Sequence, residues 1–321
     1  MPKFCRHGTL IESCPICRAS VESAERTAAQ RPTRPAARNA SSSPARTRSP
    51  SRGTGRLTIR RETRSEDDGY RSALAPGLRS SPDAQRLATN VADAAARLAL
   101  LPVDPPGLYA EVALTDDAEE ATWLAFLIAY IGPQEDDDDH FASLQGARTT
   151  WRSGALPDLS AVRLGPRTAH DPVRGEQTIV AYRRWAERAG SQAAGFGADP
   201  SWTAEQRFER VFERLALPGL HRRARYELLV MLGALGRHPL AAPSLLLSED
   251  DPVSGAAKRV FAIGDRLTLE RRSSALAATI GVPIEALDLA LENWAADSPI
   301  SLGVDAHDEA ILARARDALD C

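Results

Sequence analysis

Aromatic residues and long hydrophobic runs are scarce in this chain of 321 residues. Phe, Trp and Tyr make up 5% of it, and no segment alternates β-branched with polar residues, so we do not expect a sheet protein. The most apolar segment runs from about Trp123 to Ile131, which is too short to span a bilayer and predicts a core helix. No apolar run follows the first residues, so we expect a cytoplasmic protein with no secretory signal and no membrane partner.

Cysteine is scarce as well: the chain has four, and three of them lie near its N-terminus. Cys5, His7, Cys14 and Cys17 follow the order C-x-H-x6-C-x-x-C. Two thiolates at the C-x-x-C spacing can chelate one ion, and a third cysteine with a histidine completes a tetrahedral set. We therefore predict a structural zinc knuckle over residues 1–18, with Zn²⁺ as its cofactor. A redox C-x-x-C pair and unligated thiols are the alternatives.

Charge is distributed unevenly along the chain. Residues 1–64 hold 14 Lys and Arg against 4 Asp and Glu, whereas the remainder holds 26 against 39. Residues 19–81 are rich in Arg, Ser and Pro and poor in large apolar side chains, which predicts a disordered basic linker. A basic arm on an acidic body indicates that the arm meets polyanions. A solvated linker without a partner is the alternative.

The chain from residue 82 to residue 321 predicts an all-α domain of about nine or ten helices, because apolar stripes at helical spacing alternate with Pro, Gly and Asp turns. No internal repeat is evident. The predicted helices cover about 81–101, 118–130, 140–147, 175–189, 203–215, the second half of 215–236, 251–262, 265–279, 283–295 and 306–319.

The stretch LALPGLHRRARYELLVMLGALG, residues 215–236, predicts a helix end, a tight turn at Pro218 and Gly219, and a second helix. Backbone N–H groups and the helix dipole at the start of that second helix can hold a phosphate. An ordinary turn between two helices of a bundle is the alternative. The candidate DNA- or phosphate-binding residues are Leu217, Gly219, Leu220, His221, Arg222 and Arg223.

Other polar groups favour simpler interpretations. The acidic run from Glu135 to His140 has the residue types of a divalent-cation site, but five adjacent acids converge poorly on one ion, so we expect a solvated loop. His170-Asp171 and His307-Asp308 are expected to be polar groups at helix starts. Arg183, Arg184 and Arg188 predict a second basic surface.

Three stretches of the body and the N-terminal CRHG…CPIC element carry a resemblance to one family. They are AYRRWAERAGSQAAGF (181–196), RFERVFERLALPG (207–219) and AAKRVFAIGD (256–265). Together they resemble the actinobacterial branch of the alpha-glutamyl/putrescinyl thymine pyrophosphorylase family, over roughly residues 105–300. The resemblance implies a helix-hairpin-helix fold like that of DNA glycosylases. It also implies a role in DNA base hypermodification, in which an amine displaces pyrophosphate from a modified thymine.

Three departures from the glycosylase pattern bear on its turn or its chemistry. Glycosylase hairpins read Leu-Pro-Gly-Val-Gly-x-Lys; here His221 replaces the second Gly and Arg223 replaces the Lys. Ser254 stands where the glycosylases keep an Asp that supports loss of the base. A guanidinium cannot form a Schiff base, and a neutral hydroxyl does not stabilise a developing cation. Simple glycosylase or lyase chemistry is therefore disfavoured.

Three hypotheses follow. The first is a DNA base-modifying enzyme in which cations stabilise a pyrophosphate leaving group, with Lys258, Arg259 and Asp265 as candidate catalytic residues. The second is a non-catalytic nucleic-acid-binding module that uses the knuckle, the basic arm and the hairpin. The third is a helical protein-interaction protein, which the acidic body favours. A concave basic pocket beside both Gly219 and Lys258 would favour the enzyme.

Overall fold

A computed structural model of the protein describes residues 65–197, 199–249, 251–296 and 298–321. Within these ranges it contains helices and no strand, so the predicted all-α class is confirmed. The predicted zinc knuckle and most of the predicted linker lie outside the described residues. The twelve described helices are α1 Ser81–Leu100, α2 Leu108–Leu114, α3 Ala118–Ile131, α4 Ala142–Ala147, α5 Gln177–Ala189, α6 Gln192–Gly197, α7 Ala204–Arg214, α8 Arg222–Ala234, α9 Pro252–Phe261, α10 Arg266–Ile280, α11 Ile284–Ala295 and α12 Glu309–Leu319.

Ten of these helices match the predicted segments to within a few residues, and local capping explains most of their starts. Ser80, Asp117 and Asp251 each accept a hydrogen bond from the first turn of the helix that follows, at α1, α3 and α9. Helices α2 and α6 were not predicted from the sequence, because they have seven and six residues and are too short to show a helical period.

The segment 65–80, assigned to the linker from its composition, packs on the helical body. Tyr70 and Leu78 are buried, and the Tyr70 hydroxyl donates a hydrogen bond to the backbone carbonyl of Leu319. The Gly77 amide donates to the Val260 carbonyl at 2.8 Å. A few apolar side chains are enough to fix a turn-rich segment that composition alone assigns to a linker.

The helices surround two hydrophobic cores. The first core contains α3, α5 and α8, and its centre is a stack of aromatic rings in which Phe126 lies 3.8 Å from Tyr182 between ring centroids. The second core contains α1 and α9–α12. Alanines such as Ala88 and Ala92 on α1 are fully buried there, and their small side chains let α11 and α12 pack close to α1.

A close backbone contact between Gly165 and the end of α3 fixes the segment that follows α4. The Gly165 amide donates to the Ile131 carbonyl at 3.1 Å, and a Cβ added at Gly165 would lie 2.2 Å from the Pro133 carbonyl oxygen. This contact holds residues 165–171 against the end of α3. Residues 168–171 of that segment belong to the candidate functional site.

Gly165→Ala is therefore expected to destabilise the protein by about 1–3 kcal/mol, because backbone must move to admit the methyl group. Gly146→Ala is the matched control: it makes the same chemical change in α4, where nothing lies within 4 Å of the new Cβ, and it is expected to be neutral or slightly stabilising. Urea unfolding of both variants measures the difference. Equal stabilities would contradict the steric argument.

In the part of the chain that the structure describes, no single helix is long and apolar enough to cross a membrane. The pair α10 and α11 meets the length and composition test only when the two are taken together, and it is bent by 106° at the break between them.

Candidate functional site

The predicted turn between α7 and α8 is present, and its geometry follows from Pro218 and Gly219. The Leu220 amide donates to the Leu217 carbonyl at 3.1 Å, and Gly219 has φ +82°, as position three of a type II turn requires. The Thr178 hydroxyl of α5 donates to the Pro218 carbonyl at 2.9 Å, which anchors the tip of the turn. A Cβ at Gly219 would lie 2.1 Å from that hydroxyl oxygen, so only glycine fits here.

An open cleft of about 410 Å³ lies on one side of the turn, and α8 begins at its edge. His221 is the N-cap residue of α8, and its side chain makes no capping hydrogen bond. The first-turn amides of α8 are therefore without a side-chain cap beside the cleft. The cleft is lined by Thr168, Ala169, His170, Asp171, Arg174, Leu217, Gly219, Leu220 and His221.

A second open cleft, of about 660 Å³, borders the turn at Pro218. It is bordered by Pro218 and by residues of α5 at helical spacing, among them Arg184, and it shares Arg174 with the first cleft. The side chain of Arg174 is half-exposed and lies 3.3 Å from the Asp171 carboxylate. Residues of the turn thus border two clefts. We call this surface, residues 168–184 and 217–221, the hairpin surface.

Two histidines of the hairpin surface have defined hydrogen bonds. His221 Nε2 lies 3.0 Å from the Thr168 carbonyl oxygen, which can only accept, so Nε2 carries the proton. His170 Nδ1 lies 2.9 Å from the Tyr130 hydroxyl. Desolvation lowers the pKa of both imidazoles, and the neighbouring Arg223 cation contributes to the lowering at His221.

Arg222 was predicted to bind phosphate, and the structure contradicts this. Its side chain is buried, with 3% of the residue exposed, and its guanidinium donates to the Asp288 carboxylate and to the Leu245 carbonyl. Its Nη1 also lies 3.5 Å from the Asp251 carboxylate. With its donors facing these internal acceptors, Arg222 cannot reach a phosphate at the surface.

The other cations of α8 also face protein. The Arg223 guanidinium is paired with the Glu292 carboxylate. Arg225 donates to the Phe212 carbonyl at 3.0 Å and stacks over the Phe212 ring. Burial lowers the pKa of Arg225. Among the predicted phosphate-binding residues, Leu217, Gly219, Leu220 and His221 line the first cleft, whereas Arg222 and Arg223 do not.

Arg222 belongs to a buried ionic cluster that joins α8 to α1 and α11. Arg167 Nη2 lies 2.8 Å from the Asp288 carboxylate, and Arg97 Nη2 lies 2.5 Å from the Glu227 carboxylate. Burial opposes the charge of Asp288, but Arg222 and Arg167 outweigh it and hold the pKa of this carboxyl below its usual value. The full cluster, which we call the ionic core, is Arg97, Arg167, Arg222, Arg223, Glu227, Asp251, Asp288 and Glu292.

The three candidate catalytic residues do not join the hairpin surface. Lys258 and Asp265 are exposed and line neither cleft. The Asp265 carboxylate caps α10 by accepting from the Thr268 hydroxyl at 2.6 Å and from the Thr268 amide at 2.8 Å, and these two hydrogen bonds lower the pKa of Asp265. The Arg259 guanidinium lies 5.0 Å from the Trp294 ring centroid. Neither cleft beside the turn borders Lys258, so these two clefts do not form the pocket expected of the enzyme.

Ser254, which stands where the glycosylases keep an Asp, lies at the start of α9. Ser254 is buried in the first turn of α9, and its amide donates to the Asp251 carboxylate, the N-cap of that helix. Burial raises the pKa of Asp251, although the Arg222 guanidinium opposes the shift. Asp251 is therefore a capping residue of the ionic core, as its place before Pro252 predicts.

The acidic run 135–139 is distributed among separate contacts. Glu135 accepts hydrogen bonds from the Ser301 and Leu302 amides, and the Asp136 carboxylate is paired with Arg163. In the described ranges, no group of three or more His, Cys, Asp and Glu side chains has an arrangement that could hold a metal ion. The interpretation as a loop is the one that these contacts favour.

A further cavity of about 570 Å³ lies between α1, α11 and residues 299–307. Its lining includes the carboxylates of Asp93, Glu135 and Asp305, and the His307 ring is paired with Asp93 at 2.5 Å. The excess of carboxylates makes this cavity unfavourable for a phosphate. The hairpin surface is therefore the better candidate for an anion.

Two of the arginines predicted to form a second basic surface have different surroundings. Arg184 is exposed and lines a cleft, whereas the Arg183 guanidinium lies between the rings of Trp123 and Trp151, 4.5 Å from each centroid. Sequence reasoning missed Arg167 and Arg174. Both lie in the loops between α4 and α5, where no period shows which side chains point inward.

Comparison with known proteins found no match to this chain among family models, curated proteins or solved structures. The resemblance to the thymine pyrophosphorylase family stays a prediction.

Proposed function

We propose that the helical body binds nucleic acid, with a backbone phosphate held at the hairpin surface. The observation that supports this most is the turn itself: a glycine with positive φ brings the uncapped start of α8 to the edge of a cleft. Backbone amides at a helix start, together with the helix dipole, favour an anion at this position. The helix-hairpin-helix relationship implied by the resemblance agrees with this proposal.

Exposed cations in both clefts would extend the binding surface along a strand of nucleic acid. Arg174 borders both clefts, and Arg184 borders the second. In the described part of the chain, Arg184 has no hydrogen-bond or ion-pair partner. A free guanidinium on an exposed face is suited to a phosphate contact. We therefore assign Arg174 and Arg184 to neighbouring phosphates on a bound strand.

A binding module explains the contacts better than a base-modifying enzyme. Lys258, Arg259 and Asp265 line neither cleft, and Asp265 has a capping role. Base hypermodification of DNA and the zinc knuckle at Cys5, His7, Cys14 and Cys17 remain proposals that the resemblance and the ligand spacing support. A protein-interaction role without nucleic acid is the outcome that the following test can favour.

The proposal predicts a specific change in salt dependence. Full-length protein is titrated with a fluorescent duplex and a single-stranded DNA at about 50 and 200 mM salt. The double variant Arg174→Gln, Arg184→Gln is expected to bind more weakly, with a log–log salt slope smaller by about 2, because each arginine releases about one counterion. Arg272→Gln, an exposed position on α10 that lines neither cleft, is the control and should leave the slope unchanged.

Two outcomes would contradict the proposal. Absence of binding at the lower salt concentration would exclude nucleic acid as the partner and favour the protein-interaction role. Binding with the same slope in the double variant and the wild type would assign the phosphate contacts to another part of the chain.

A further inference from the structure

The first cleft contains two imidazoles, and each has one ring nitrogen left free. His221 Nε2 is engaged by the Thr168 carbonyl, and His170 Nδ1 by the Tyr130 hydroxyl. Within the described residues, His221 Nδ1 and His170 Nε2 have no hydrogen-bond partner. Both histidines line the cleft, so each has a second nitrogen that can gain a proton or donate a hydrogen bond.

Among the residues that line the two clefts, formal charge is balanced when both imidazoles are neutral. Arg174 and Arg184 supply two positive charges, and Asp171 and Glu176 supply two negative ones. Such a surface attracts a phosphate weakly at long range. Two added protons, both on residues of the first cleft, would leave the lining of the two clefts with an excess of two positive charges.

We infer that anion binding at the hairpin surface is proton-linked: a phosphodiester group that enters the first cleft is accompanied by protonation of His170 and His221. The inference rests on the proposed function and specifies its regulation. Affinity for nucleic acid then rises on acidification, through these two side chains and no others on the surface.

The groups that face each imidazole determine the direction in which its pKa is shifted. Desolvation lowers the pKa of His170, and the carboxylates of Asp171 and Glu176 oppose this. Desolvation also lowers the pKa of His221; Arg223 and Arg167 add to the lowering, whereas the Thr168 carbonyl and Glu292 oppose it. Tyr130, whose own pKa is raised by burial, stays a neutral hydroxyl beside His170.

Both imidazoles are thus mainly neutral at pH 7 in the free protein. A phosphodiester close to them raises their pKa, so protons are taken up on binding between the lower free and the higher bound values. In that window each histidine contributes up to about tenfold in affinity per pH unit. We expect the wild type to bind at least about tenfold more tightly at pH 5.5 than at pH 7.5.

The test uses an unmodified DNA oligonucleotide, because its phosphodiester charge does not change between these pH values. Affinity is measured at constant ionic strength for the full-length wild type and for the double variant His170→Gln, His221→Gln. The double variant is expected to lose most of the pH dependence of binding. Circular dichroism at both pH values confirms that the variant is folded.

His307→Gln is the matched control. His307 lies beside Asp93 in the acidic cavity and lines neither cleft, so its replacement should leave the pH dependence of binding as it is in the wild type. Equal wild-type affinity at both pH values, or an unchanged pH dependence in the double variant, would overturn the inference while the proposed function stands. Absence of binding at both pH values would contradict the proposed function itself, and the inference with it.

Discussion

Asparagine in place of Asp288 is expected to lower the free energy of unfolding by about 3–5 kcal/mol. Asp288 is 2% exposed, and its carboxylate accepts from Arg167 at 2.8 Å and from Arg222. The amide of Asn keeps the shape of the side chain but removes its charge and one acceptor. The buried guanidinium groups of Arg167 and Arg222 would then lose a carboxylate partner. A buried charge without its partner is costly in free energy.

Urea unfolding at neutral pH measures this change. The control is Asp136→Asn, which removes the same charge from a solvent-exposed pair with Arg163 and is expected to have little effect. If the two variants lost equal stability, charge pairing would not be what holds α8 to α11. In that event, the packing of the side chains in the ionic core would be the main contribution to holding α8 against α11.

The difference between the wild type and Asp288→Asn also depends on pH. Arg222 and Arg167 hold the folded pKa of Asp288 below its unfolded value of about 3.9. Such a group stabilises the fold above the unfolded pKa, and the stabilisation is lost as pH falls through the folded pKa. We therefore expect the two proteins to converge in stability at strongly acidic pH, where the carboxyl of Asp288 becomes protonated.

Acidification from pH 6.5 to pH 4 is expected to destabilise the protein by roughly 3 kcal/mol through His238 alone. Burial, helped by the Arg237 cation, lowers the pKa of His238 to about 4. Its ring stacks on Phe196 with centroids 5.2 Å apart, and its Nε2 lies 3.5 Å from the Thr122 hydroxyl. The unfolded chain binds a proton near pH 6.5 and the folded chain does not, so stability rises with pH across this interval.

His238→Phe tests this prediction, because phenylalanine keeps the stacked ring and cannot titrate. Its unfolding free energy, followed by urea titration at several pH values, should fall less steeply than that of the wild type between pH 6.5 and pH 4. His307→Gln gives a contrast of opposite sign: the Asp93 hydrogen bond raises the pKa of His307, so its stabilisation is present at low pH and lost as pH rises. Parallel pH profiles for His238→Phe and the wild type would contradict the assignment.

The positions of the longer helices could be predicted from the sequence because their signals are local. Asp117 caps α3 with its own side chain, and Pro252 fits the first turn of α9 after the capping Asp251. The turn at Pro218 and Gly219 is local as well, since a positive φ at glycine is enough to form it. The short helices α2 and α6 had no such signal and depend on the core that they cover.

The sequence by itself determined an all-α body and the position of the turn, whereas tertiary structure decided which cations can act there. Arg222 and Arg184 are both arginines on or beside amphipathic helices, and no local rule separates them. Arg222 faces Asp288, which is 66 residues away in the chain, and it is buried; Arg184 faces solvent beside the turn. A long buried side chain takes the orientation in which it pairs with an opposite charge. For Arg222 that charge is Asp288, which lies on a distant helix and comes close only when the chain has folded.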